Sequence, residues 1–448
     1  MRFFFTLALC MAFGAAAKGE PLAASAASPV VSPDRLDDAS SGGDAFAALG
    51  DFGWRAFLAL NWPAAGDAAR RGAPNRATTL GDPGPRVWET FKSAAETFPV
   101  GADGRRIAAA SWGSYASPNP CGGDNSEKTI AEFIPFAEFN QPGFSSDAPA
   151  NPLVAQNGEY VRYEIRFNAL EFSTFVANGW SEGRNLPDVE HPAHFPVGSI
   201  AVKAAWRPLN AADTPALRAR YYVARAAIVD VSSSLAAGHV VCARRDVALV
   251  GLHIAIKTRT RPQWIWTSFE HVDNVPPAGE GAAREPDAKD AQARYGFFDP
   301  SRPARLWPPF GAAQTQPIDR TNPPKRAPAA MQIVRRHPIN AALMAKNRDY
   351  WSHPGVKGTV WERYMLVAAQ WPTSSDPPGP DNDGAYFPGQ SAPSRDESYK
   401  STAAAQENLV NTTMESYLQE APSSCMACHQ AASNHSGFDF VGVLANRR

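Results

Sequence analysis

The chain has 448 residues, room for two or three domains at the usual ~100–200 residues each. Hydrophobic residues make up 44% and charged ones 19%, so a sizeable core is available. The 43 basic and 44 acidic residues nearly cancel, which argues against a nucleic-acid binder and against a polyanionic tail.

Arg2, the apolar run Phe3 to Phe13 and the small residues Gly14-Ala15-Ala16-Ala17 predict a signal peptide over residues 1–17. Cleavage is expected after Ala17, with Ala27 as the alternative, and delivers the protein to the periplasm. No other stretch of about 18 apolar residues is present, so no transmembrane segment is expected in the mature chain.

Residues 18–43 are Ala/Ser/Pro-rich and read as a disordered segment. Residues 44–63 predict a helix stopped by Pro63. Arg86 to Phe98 reads as a second helix, with Val87, Phe91, Ala94 and Phe98 on one side. In 160–180 a strand pattern gives way to a short helix ending at Gly179. Period-2 alternation then predicts strands at 197–206, 220–230, 246–257 and 263–270. Residues 276–330 hold eleven prolines and read as a loop or linker. Residues 331–371 turn helical, with Trp361 to Trp371 periodic. WRAFLALNWP at 54–63 and WERYMLVAAQWP at 361–372 are alike enough to raise a distant repeat. An amphipathic helix is expected over 402–419, with Leu409, Thr413, Met414 and Tyr417 near one face.

The fold expected is α+β. A body over 44–275 holds a central antiparallel sheet, the Pro-rich linker spans 276–330, and a helical region over 331–448 carries the motif described next.

Five cysteines are present, and Cys10 leaves with the signal peptide. Cys425-Met426-Ala427-Cys428-His429 is a C-x-x-C-H run, the pattern of c-type haem attachment. With five cysteines and nine histidines in the chain, a chance match is roughly a one-in-a-thousand event. Two thiols on one turn reach the two vinyl groups, and the adjacent imidazole points at the iron. A zinc site needs about two further ligands, and only His435 lies nearby. The motif sits close to the C-terminus, so a class I cytochrome c fold, which wraps the porphyrin after its motif, is not expected. Cys121 and Cys242 remain, either as a disulfide or as two separate thiols.

The runs VALVGLHIAIKTRTRPQWIWTSFEHVDNVP, AAQWP and LVNTTMESYLQ…SSCMACH resemble exported bacterial proteins described as cytochrome c family proteins. The resemblance covers most of the mature chain. It implies one covalent haem c on Cys425 and Cys428 with His429 as proximal iron ligand, and it implies no substrate.

For the iron's second side the favoured residues are His253 and His271, ahead of Met414 and His435. A hairpin turning near Thr260 would face His253 to Thr267 and put His271 on the same side, with Gly251 and Ala255 leaving room for a flat ligand. Trp264 and Trp266 would then point to the opposite face, and a one-residue slip would reverse all of this. His191-Pro-Ala-His194 is weak as half a metal site, and Asp381-Asn382-Asp383-Gly384 lacks the glutamate of a calcium loop.

Three functions are compatible. The favoured one is an electron-transfer haemoprotein relaying electrons to or from a redox partner protein. A haem enzyme of peroxidase or oxidase type, with an open sixth position, and a β-rich binding module are the alternatives.

Overall fold

The computed structural model describes residues 45–101, 103–115, 128–129, 153–188, 193–229, 233, 236–237, 241–258, 261, 264–276, 295–301, 330–371, 411–416, 419, 425 and 429. The architecture is α+β, dominated by one sheet of eight strands among these residues.

The long strand β6 (Cys242–Ile256) organises the sheet. One edge pairs with β4 (Ile200–Pro208), which continues to β3 (Arg162–Phe167) and the two-residue β1 (Lys92–Ser93). The other edge is shared. Its first half takes β5 (Val223–Val229), followed by β2 (Lys128–Thr129). Its second half takes β7 (Ile265–His271), followed by β8 (Tyr364–Gln370). All pairings are antiparallel except β2 with β5.

Helix α1 (Ala45–Leu60) and helix α5 (Ala341–Ser352) cover one face. α2 (Ala94–Thr97), α3 (Ala169–Ala177) and α4 (Pro215–Arg218) are short. Leu252 and Ile254 of β6 and Phe269 of β7 meet α1 there. Trp54 stacks on Tyr350 with ring centres 5.0 Å apart and meets Phe269 edge-on at 5.2 Å. Its indole N–H donates to Asn347 Oδ1 at 2.9 Å, so the buried ring leaves no polar atom unsatisfied. The opposite face carries two smaller clusters. One is aromatic, built from Phe98, Phe167, Phe175, Phe195, Trp264 and Trp266; the other surrounds Leu153, Val250, Met331 and Met414.

The four strands from the alternating segments form within a few residues of expectation, and α1 ends before Pro63 as its pattern requires. The strand-to-helix switch at 160–180 also forms as β3 and α3. Asn168 caps α3 by accepting the Glu171 N–H, and Gly179 supplies the left-handed φ of 75° just beyond it.

Three expected helices differ. Arg86 to Phe98 is a 3-10 turn, then β1, then α2. The buried Arg71 guanidinium takes the carbonyls of Thr90 and Phe91 and pairs with Glu96. Those carbonyls are thereby removed from any helix, and Ser93 with Glu96 forms a capping box that starts a new turn. Residues 364–370 form β8, not a helix, because both of its faces are buried. A strand covered on both sides is a continuous apolar run that periodicity does not separate from a helix. WERYMLVAAQWP is thus largely strand where its look-alike at 54–63 is mostly helix, so the likeness is not a structural repeat. Residues 411–416 are successive turns, because Asn411 Oδ1 accepts the N–H groups of Thr413 and Met414; the earlier part of that expected helix lies outside the described residues.

Candidate functional site

The site begins with the register of β6 and β7. His253 pairs with Ser268, not with Thr267, and Ala255 pairs with Trp266. This is a slip of one residue from the expected hairpin, and it exchanges the faces. Trp266 shares the face of Gly251, His253 and Ala255. His271 does not, and Ile265 and Phe269 turn to the α1 side. The connection is closed by Trp264, a fully buried tryptophan with φ of 74°. Its N–H donates to the Arg261 carbonyl, and the Arg261 N–H donates to Thr258 Oγ1.

Over this face lies Asn411-Thr412-Thr413-Met414-Glu415-Ser416, polar in sequence yet buried throughout. The side chains of Asn411, Thr412, Thr413 and Ser416 are each hydrogen-bonded to the sheet or within the segment. Asn411 Nδ2 donates to Ser268 Oγ at 2.9 Å and to the Phe269 carbonyl at 3.0 Å. Thr412 donates through N–H and hydroxyl to Glu270 Oε2, at 2.7 and 2.9 Å. Glu270 is fully buried and its other oxygen pairs with Arg335. The Tyr163 hydroxyl donates to the Thr413 carbonyl at 2.7 Å. The space expected beside Gly251 for a flat ligand is filled by Thr413.

Further along, Cys425 and His429, four residues apart in the sequence, each have helical backbone. Both are half-buried. Cys425 packs on the aromatic cluster, and its N–H donates to Gln370 Oε1 at 2.7 Å. The His429 imidazole lies 4.3 Å from Trp266, centre to centre, with the rings tilted by 38°. Trp266 and Gln370 are cross-strand partners on β7 and β8. Cys428 lies outside the described residues.

His253 Nε2 is 2.9 Å from Glu415 Oε1, an ion-pair distance without hydrogen-bond alignment, so the buried ring nitrogen has no hydrogen bond. His271 is fully buried with both ring nitrogens engaged. Nδ1 accepts the Asp273 N–H at 3.1 Å, which leaves Nε2–H to donate to the Arg220 carbonyl at 3.0 Å. Tyr221 stacks on the ring at 3.8 Å. Burial, opposed by nearby Asp273, pushes its pKa down to about 4, so it is neutral in the fold. Met414 is buried in the cluster with Val250 and Met331.

Cys242, the first residue of β6, is disulfide-bonded. Cys121, the partner expected for it, lies outside the described residues, as do His435, His191 and Asp381 to Gly384. Among the described residues no cluster of three or more His, Cys, Asp or Glu side chains could hold a metal ion, and no helix is long and apolar enough to cross a membrane.

Compared with protein-family models, characterised proteins and solved structures, the chain matches none. Trp266, Gln370, Asn411, Thr413 and Glu415 escape a reading by motif. One signal was present for two of them: Gln370 interrupts an apolar run, and Asn411 opens a polar run where an apolar face would be expected.

Proposed function

We propose that the chain is an exported monohaem c-type cytochrome that relays electrons to or from a redox partner protein. The haem is bonded through Cys425 and Cys428, with His429 on the iron. The observation that carries this reading is the seating of the two described motif residues: the Cys425 thiol side chain and the His429 imidazole both pack against one aromatic wall. That donor set fits haem c, and an apolar wall suits a porphyrin face. Bound there, the haem supplies a one-electron couple. The disulfide at Cys242 supports an oxidising compartment, in keeping with the signal peptide read in residues 1–17 and with periplasmic maturation of c-type haem.

Trp266 packs against the proximal imidazole, and Gln370 Oε1 accepts the Cys425 N–H. On the second side, His253 shares the Trp266 face and is the candidate of the two histidines, but it must leave Glu415 to reach an iron. His271 has no free ring nitrogen. That engagement of both histidines supports the second reading, a haem enzyme with an open sixth position.

Maturation in a host with a c-type attachment system, followed by a denaturing gel stained for haem, tests the proposal. A stained band near the mature mass is expected, lost in Cys425→Ala/Cys428→Ala. Extraction of all haem by acid-acetone would overturn it. Absorption of the ferric protein then separates the two readings: low-spin iron supports electron transfer, high-spin iron the enzyme.

A further inference from the structure

Trp266 and Gln370 face each other across β7 and β8; Gln370 bonds to Cys425, and Trp266 packs on His429. Directly opposed residues in a sheet point to the same face with Cβ atoms roughly 4.5–5.5 Å apart. Gln370 is fully buried and presents its carbonyl oxygen to the Cys425 N–H, as a capping side chain does at the start of a helix. Trp266 is buried too, with the aromatic cluster around it and the His429 imidazole against its ring. We propose that this rung is a positioning device, which fixes the Cys425 backbone through Gln370 and the plane of the axial imidazole through Trp266.

The idea rests on the haem reading of Cys425 and His429. Metal-binding histidines are ordinarily oriented by a second group, and loss of that group alters the metal's properties without removing the ligand. Here the orienting surface is an indole. Its direction depends on the β6–β7 register, which Trp264 completes in a left-handed conformation that disfavours any residue with a side chain. Trp266 would not contact His429 if β7 were shifted by one residue, because it would present the other face.

The test uses the full-length matured protein and two readouts. Hydrogen exchange followed by mass spectrometry reports on the peptide containing Cys425. Gln370→Met removes the acceptor at similar volume, and the Cys425 amide should exchange about tenfold faster. Electron paramagnetic resonance and the midpoint potential report on the imidazole. Trp266→Leu should move the ferric g-values and lower the potential as water reaches the ring, and Trp266→Phe should move both in the same direction by less. Where Trp266→Leu does not fold, Trp266→Phe decides.

Unchanged exchange in Gln370→Met together with unchanged g-values and potential in the Trp266 variants, all with haem attached, would overturn the rung and leave the haem reading intact. If the unsubstituted chain takes no haem, the haem reading fails. The exchange arm in the haem-free protein then still decides whether Gln370 holds the Cys425 backbone.

Discussion

Gly251 of β6 lies directly beneath Thr413: a Cβ added to Gly251 would overlap Thr413 Oγ1. The same threonine donates both its N–H and its hydroxyl to Asn411 Oδ1, so it has little freedom to retreat. The absence of a side chain at residue 251 is therefore what lets the polar segment 411–416 lie flat on the sheet.

Gly251→Ala should destabilise the protein by about 1–3 kcal/mol, the usual cost of overpacking. Urea denaturation measures it. Thr413→Ala in the same chain should restore part of the loss, because it removes the overlapping oxygen. Additive effects of the two substitutions would contradict the contact.

The iron's second side is open to a direct comparison. His253→Ala and His271→Ala, each with haem attached, should be compared by absorption. High-spin iron that binds carbon monoxide when reduced, in His253→Ala alone, identifies His253. If both variants stay low-spin, Met414 is the next residue to replace. High-spin iron in the unsubstituted protein favours the enzyme.

The pH dependence of stability should carry the mark of His271. Its folded pKa of about 4 lies below the ordinary value of 6.5, so the unfolded chain binds the proton more readily. Its contribution is fully present above pH ~6.5 and is lost as pH falls toward 4, about 3 kcal/mol in all. Urea midpoints measured across this window should fall less steeply in His271→Gln. Equal slopes would show that the histidine is not held neutral by burial.

Cys242 should resist alkylation until the protein is reduced. Intact-mass analysis after alkylation without reduction measures this. A peptide map of the unreduced protein should then join the Cys242 peptide to that of Cys121; joining to another cysteine would reassign the pair.

Much of the secondary structure was legible because its causes are local. The alternation of large apolar residues with Gly251, His253, Ala255 and Lys257 marks a strand even though both of its faces are largely buried, and Gly179 ends α3 because its left-handed φ suits glycine. The C-x-x-C-H motif was equally legible, since it is a spacing within five residues. Whether Tyr364 to Gln370 is helix or strand was not, because burial on both faces erases the period that separates them. The face of Trp266 was not legible either. It depends on the parity of the β6–β7 connection, where one residue more or less turns every side chain over, and only the packing of Trp264 into the aromatic cluster decides which count is used. The burial of Asn411 to Ser416 is nonlocal in the same sense. Glu270, Ser268 and Tyr163 come from distant strands, and a polar run becomes interior only when they meet it.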